Sequence, residues 1–175
     1  MVHPAMSHWE RTAAAGVEVY HPNRQRPVIQ GTRAAIVLLL FASIVLMLAI
    51  TIGGWRALAG MQPVQIIYIL VYLVLTVQAL RWSRGSLAVS AALAIVLAVL
   101  ALVSVSSWSN RDKSGFAAPA LPESTLGLLC ALLIPVQLLL IVFAMRGFRQ
   151  GWNVEEERPL FRDRPPFTDP RARAV

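Results

Sequence analysis

The stretch VQIIYILVYLVLTVQAL, residues 64–80, decides the fold. It carries no charge, and as a helix with a rise of about 1.5 Å per residue it is long enough to cross most of a bilayer. Four polar side chains recur in it at spacings of three and four residues, namely Gln65, Tyr68, Tyr72 and Thr76. A helix places these four, here named the polar stripe, on one face. Because lipid tails offer no hydrogen bonds, we predict that the stripe faces protein.

The composition extends this interpretation to the whole chain. Of 175 residues, 57% are hydrophobic and 14% are charged, against roughly a quarter charged in a soluble domain. The apolar residues form four runs of membrane-spanning length, which are residues 34–52, 64–80, 87–105 and 126–145. We therefore predict an all-α, polytopic membrane protein. Its four-helix transmembrane bundle occupies residues 34–145, between extended tails over residues 1–33 and 146–175.

The tails lack a sustained apolar period and cannot form a core of their own. We expect them to be disordered, or to become ordered on a partner. The first apolar run could also be taken for a secretory signal, because Ala57-Leu58-Ala59 resembles a cleavage site. It is longer than a typical signal core of about 7–15 residues, so we expect the helix to be retained.

Two features of the later runs predict how the helices pack. Ala91, Ala94, Ala98 and Ala101 form a strip of small side chains at helical spacing, which favours close approach of another helix, most simply the second span. Pro135 interrupts the fourth run and predicts a kink. Such a kink serves either as a gate or as local shape, and we favour local shape.

The distribution of cations predicts the orientation. Thirteen of the sixteen lie in the two tails and in loop 81–86, whereas three, Arg56, Arg111 and Lys113, lie in the other two loops. The positive-inside rule then places both termini in the cytoplasm. Since Lys113 is the only Lys and Ala and Leu are abundant, the composition is typical of a GC-rich bacterial genome, and we expect the inner membrane of a bacterium.

Tryptophans mark the predicted ends of the spans. One indole follows each run, and the four are Trp55, Trp82, Trp108 and Trp152. Amphipathic indoles prefer the membrane–water interface, so we interpret them as interfacial anchors.

Several chemistries lack the residues that they need. No charged residue lies in the four runs, the histidines His3, His8 and His21 all lie in the first tail, and Cys130 is the single cysteine. Pumps and haem bundles usually need ionisable or ligating side chains at membrane depth. No nucleotide-binding or nucleophile motif is present, and the acidic run 155–157 is interpreted as solvated charge. We expect no enzyme activity, no cofactor, no metal and no nucleic-acid binding.

Two functions remain in view. The first is a non-catalytic accessory subunit of a larger bacterial membrane complex, such as a respiratory or photosynthetic one, whose partners are other integral membrane subunits and lipids. The alternative is a small carrier or binder of a lipid or quinone-like molecule, with Tyr68 or Tyr72 donating a hydrogen bond. That alternative predicts a cavity between spans two and four, and weaker binding in a Tyr72→Phe variant. A membrane enzyme is the third and least supported class.

Overall fold

The computed structural model describes residues 17–20, 26–58, 60–111, 118–152 and 156–159. Within these ranges the chain forms four helices, each long and apolar enough to cross a membrane. They are α1 (Pro27–Gly53), α2 (Gln62–Leu80), α3 (Gly85–Ser109) and α4 (Glu123–Arg149). The predicted helical fold of four candidate spans is confirmed at this level.

Every helix is longer than the apolar run that predicted it. At the two outer boundaries, α1 begins at Pro27 rather than Ala34, and α4 ends at Arg149 rather than Met145. The reason is that hydropathy marks only the part that fits the hydrocarbon, whereas backbone hydrogen bonds carry a helix on into the polar layer. Proline stands in the first turn of α1 and of α2, where its missing N–H costs nothing.

The helices pack as an uneven ring. α4 lies against α3 and α1, and α1 also packs on α2, whereas α2 and α3 make few contacts with each other. We use "loop end" for the end of the bundle that carries the α1–α2 and α3–α4 connections, and "terminal end" for the opposite end. The weakly packed boundary between α2 and α3 is the feature that positions the candidate site.

The alanine strip of α3 is buried, but the second span is the wrong partner for it. Ala91, Ala94 and Ala101 are each at most 5% exposed, and Ala98 is half-buried. The helix that packs most extensively on α3 is α4. Small side chains allow any helix to approach, so they do not choose the partner.

Arginine ties helices together at the terminal end. Nε of Arg33 donates to the Ala79 carbonyl at 3.2 Å, and its Nη2 donates to the Leu80 carbonyl, at the C-terminus of α2. The guanidinium carbon lies 4.3 Å from the Trp82 ring centroid, and Trp82 packs edge-on against Trp152 at 5.6 Å. These contacts hold Trp82 at φ 63°, a left-handed conformation that a bulky residue rarely adopts.

The loop end is fixed by the backbone of the α3–α4 connection. The amides of Ala120 and Leu121 both donate to the Gly53 carbonyl, at 2.8 and 3.1 Å. Nη2 of Arg111 donates to the Ala57 carbonyl at 2.5 Å. The two connections at this end are therefore held together by hydrogen bonds.

The tails contribute regular structure that was not predicted. Strand β1 (Val17–Tyr20) pairs antiparallel with β2 (Glu156–Pro159), with Val17 opposite Pro159. This small sheet is a unit separate from the bundle. The three histidines and residues 161–175 lie outside the described ranges, so the prediction of disorder is not addressed there.

Candidate functional site: a cleft at the loop end of the bundle

The polar stripe divides into two halves with different surroundings. Tyr72 is fully buried and Thr76 is nearly so. Gln65 and Tyr68 are half-buried and line a cavity. The residues thus lie on one face, as predicted, and the depth of that face changes along the helix.

The deeper half is structural. The Tyr72 hydroxyl donates to Oε1 of Gln137 at 2.9 Å, and Nε2 of Gln137 donates to Oγ of Ser43 at 2.8 Å. Oγ of Ser43 donates to the Leu39 carbonyl at 2.7 Å. Gln137 and Ser43 are fully buried. This chain, here named the buried network, joins α2, α4 and α1 and satisfies polar groups that the interior would otherwise leave unpaired.

Thr76 completes its bonding within its own helix. Its Oγ1 donates to the Tyr72 carbonyl, four residues earlier, at 2.7 Å. A hydroxyl that donates its proton to a carbonyl of its own helix has no further proton to donate to a neighbouring group. Tyr72 therefore links α2 to α4, Thr76 bonds within α2, and both hydroxyls already donate to a protein acceptor.

The shallower half borders a gap. All four buried residues of α2 (Tyr72, Leu75, Thr76 and Ala79) lie toward the terminal end. The first half of α2, residues 62–71, has none. Toward the loop end the helix therefore has no close partner across the boundary with α3.

A cleft with a volume of about 130 Å³ occupies this gap. Its walls are mainly apolar, and all four helices contribute side chains, among them Met47, Val64, Leu97 and Leu133. Val64 on α2 and Leu100 on α3 are each 39% exposed at its margins. Side chains of spans two and four, among them Tyr68 and Leu133, both line this cleft, as the alternative expected, and its exposed margin lies between α2 and α3.

The polar side chains that line this cleft include Gln65, Tyr68 and Ser104, beside the Trp108 indole. Oε1 of Gln65 lies 3.0 Å from Oγ1 of Thr51. Oγ of Ser104 donates to the Leu100 carbonyl at 2.7 Å. The Tyr68 ring stacks at a tilt on Tyr72, with centroids 6.2 Å apart. No hydrogen bond to the Tyr68 hydroxyl occurs among the described residues. Of the three hydroxyls in the polar stripe, that of Tyr68 is therefore the one that can donate a hydrogen bond to another molecule.

Cys130 is the one thiol among the described residues of the cleft wall, and it is 3% exposed. The described lining includes no histidine or carboxylate that would activate this thiol or the Ser104 hydroxyl. The described residues contain no cluster of His, Cys, Asp and Glu suited to a metal. The groups in this cleft are therefore suited to binding a neutral polar atom, and they provide no acid, base or nucleophile pair.

The four tryptophans predicted as interfacial anchors differ in their exposure. Trp152 is fully buried, Trp108 is 4% exposed, and Trp82 is half-buried beneath Arg33. Trp55, at 49% exposure, is the one that faces the surroundings. Because the helices continue past the apolar runs, an indole at the end of a run can still lie between helices.

Sequence reasoning missed the other two members of the buried network, Gln137 and Ser43. Gln137 was visible as a lone amide in the fourth run, two residues after Pro135, and α4 continues without a break through that proline. Ser43 gave no signal, since a serine in a membrane helix commonly bonds its own backbone. Pairing Tyr72 with Gln137 required knowing which helices are neighbours.

Comparisons of the chain with known protein families, with curated proteins and with solved structures find no match.

Proposed function

We propose that this protein is a non-catalytic membrane protein that binds a slim apolar molecule carrying a carbonyl oxygen, in the cleft between α2 and α3. The observation that carries the proposal is Tyr68, which lines a mainly apolar cleft and whose hydroxyl has no hydrogen-bond partner among the described residues. A phenol in an apolar environment loses free energy unless it donates. A carbonyl oxygen on the bound molecule supplies the acceptor.

The size of the cleft restricts the occupant. Drug-sized ligands occupy pockets of about 300–1,000 Å³, whereas 130 Å³ is close to engineered apolar cavities of about 150 Å³ that hold one benzene ring. A segment of one acyl chain, or the ring of a quinone, has about this volume. The rest of such a molecule would extend into the surrounding lipid.

The first experiment removes the hydroxyl. The purified full chain in mild detergent is incubated with phosphatidylcholine or, separately, with decylubiquinone, and the bound molecules are counted by native mass spectrometry. Tyr68→Phe should lower retention of the probe about 3- to 10-fold, the usual value of one hydrogen bond in a binding site. Tyr72→Phe serves as the matched control, because its hydroxyl is held by Gln137. Equal retention by wild type and Tyr68→Phe would count against the proposal.

The second experiment fills the cleft. Ala101 on α3 lines it and is 3% exposed, so Ala101→Leu should displace the same probes. Ala92→Leu, at an exposed position on the same helix, adds the same side chain outside the cleft and should leave retention unchanged. Equal retention in both variants would show that the probes bind elsewhere.

We infer a membrane orientation from the charges. Arg26, Arg33, Arg81, Arg84 and Arg149 all lie at the terminal end, and the positive-inside rule places that end in the cytoplasm. Four spans then place both termini there, and the cleft opens toward the opposite leaflet. The Arg-rich composition supports a bacterial inner membrane as the location.

The accessory-subunit function is the second candidate, and the exposure of α2 supports it. A surface along residues 62–71 without buried residues would accept a helix of another subunit. Its partners would be other integral membrane proteins, with lipids at the remaining surface. Purification in a gentle detergent, followed by mass measurement, tests it. A single 19.2 kDa species without co-purifying proteins would count against it.

A further inference from the structure

Three arginines lie at the terminal end, where α3 begins and α4 ends. Arg84 directly precedes α3, and Arg146 and Arg149 lie in the last turn of α4. Nε of Arg84 donates to the Phe148 carbonyl at 3.1 Å, and its guanidinium carbon lies 4.5 Å from the centroid of the Phe148 ring. Arg84 is therefore fixed against the turn of α4 that carries the other two cations. These three residues are here named the arginine cluster.

The arginine cluster carries more positive charge than its described surroundings offset. All three side chains are exposed, and within the described residues their polar contacts are those of Arg84 with Phe148. Among the described residues between 26 and 152, Glu123 is the one carboxylate, and it lies at the opposite end of α4. The carbonyls at a helix C-terminus are equivalent to about half a negative charge. They therefore offset only a small part of the three positive charges.

The face of α4 that leads to the arginine cluster is apolar and exposed. Leu138, Val142 and Met145 are 54%, 61% and 50% exposed. They follow one another at spacings of four and three residues, and Arg149 comes four residues after Met145, so a helix places all four on one side. Along this face, exposed apolar side chains lead to cations at the terminal end. A phospholipid that lies beside the helix presents its acyl chain and its phosphate in the same order.

We propose that the arginine cluster binds the phosphate headgroup of an anionic phospholipid, whose acyl chain lies along the exposed face of α4. Guanidinium groups bind phosphate oxygens through paired, charge-assisted hydrogen bonds. Phe148 already orients Arg84, and the Nη nitrogens of Arg84 make no hydrogen bond within the described residues. A zwitterionic lipid brings an ammonium group with its phosphate and should bind more weakly. No member of the cluster lines the cleft between α2 and α3, so this site does not depend on the molecule that occupies the cleft.

The experiment is a competition between two lipids that differ only in headgroup. The purified full chain in mild detergent is mixed with equal amounts of phosphatidylglycerol and phosphatidylcholine that carry identical acyl chains, and the retained lipid is identified by native mass spectrometry. One arginine near an anionic headgroup contributes about fivefold to binding. Wild type should therefore retain phosphatidylglycerol about tenfold or more over phosphatidylcholine. Equal retention of the two lipids would overturn the proposal.

Paired substitutions locate the headgroup. Arg146→Gln combined with Arg149→Gln should lower the preference to about twofold or less, and the corresponding pair of lysines should keep most of it because the charges remain. The matched control is Arg26→Gln combined with Arg81→Gln, which removes two exposed cations beside α1 and α2 at the same end and should leave the preference unchanged. Equal losses in the two glutamine pairs would assign the preference to the overall charge of this end and overturn the proposal. A loss with lysine as large as with glutamine would also overturn it.

Two further variants separate this site from the cleft and from the acidic run 155–157, which follows α4 in the sequence. Ala101→Leu, which fills the cleft, should leave the headgroup preference unchanged, and a preference lost in this variant would place the anionic lipid in the cleft instead. Glutamine at residues 155–157 should also leave it unchanged. A preference that arose only after that replacement would mean that the acidic run neutralises the arginine cluster, and would overturn the proposal. An intact preference beside unchanged retention in Tyr68→Phe would count against the proposed function alone.

Discussion

Tyr68 and Tyr72 occupy equivalent positions on one helical face, yet their hydroxyls have different roles. Tyr72 is fully buried and donates to Gln137, whereas Tyr68 borders the cleft. The difference arises because α2 packs tightly only in its second half. We therefore expect Tyr68→Phe, and not Tyr72→Phe, to weaken ligand binding. Substitutions of Tyr72 should instead change the free energy of unfolding.

The first stability prediction concerns the buried network. Gln137→Leu removes the acceptor of the Tyr72 hydroxyl, while Ser43 keeps its bond to Leu39. Interhelical hydrogen bonds in membranes average about 0.6 kcal/mol and rarely exceed about 2, so we expect a loss of about 1–2 kcal/mol. The measurement is the free energy of unfolding in mixed micelles titrated with SDS.

A control and a double substitution sharpen this test. Gln78→Leu, at an exposed position of α2, should change the free energy of unfolding by less than about 0.5 kcal/mol. Tyr72→Phe combined with Gln137→Leu should cost less than the sum of the two single changes, because no unpaired group then remains. Strict additivity would mean that the hydrogen bond contributes nothing to stability.

At the scale of elements, α4 is the helix on which the bundle is organised. It packs on α1 and α3 and supplies Gln137 to the buried network. Near its C-terminus, a Cβ on Gly147 would lie 3.1 Å from side-chain atoms of Ile36, Leu87 and Trp152. Three elements therefore meet at a position where only a hydrogen atom fits comfortably.

The second stability prediction contrasts two helical glycines. Gly147→Leu should destabilise the protein by about 1–3 kcal/mol through overpacking. Gly31→Ala, where an added Cβ would meet nothing within 4 Å, should stabilise it by about 0.5–1 kcal/mol because alanine loses less backbone entropy in a helix. Unfolding titrations of both variants check the opposite signs. If Gly147→Leu left the free energy of unfolding unchanged, the side chains around this glycine would have room to rearrange.

For the whole molecule, the arrangement of charges and helices predicts a topology that labelling can test. With Cys130 replaced by alanine, a cysteine at Ser109 lies at the loop end and one at Ser83 at the terminal end. A membrane-impermeant maleimide added to intact cells should label Ser109→Cys, and should label Ser83→Cys only after the cells are opened. The reverse pattern would invert the orientation and place the cleft mouth toward the cytoplasm.

The sequence by itself determined the helical class of the fold, the number of helices that are long and apolar enough to cross a membrane, and the approximate position of each. The four apolar runs, and polar residues such as Gln65 and Tyr72 confined to one face, depend only on local composition and helical period. Local chemistry suffices for these features because a helix satisfies its own backbone hydrogen bonds.

Only the tertiary structure decided which helices are neighbours, and the candidate site depends on that choice. Apolar helices in lipid gain little from one partner over another, so neither the alanine strip nor Pro135 could identify α4 as the central helix. The separation of α2 from α3 over residues 62–71, which opens the cleft beside Tyr68, follows from close packing elsewhere in the bundle. A cavity is set by distances between helices, and the sequence of one helix does not encode them.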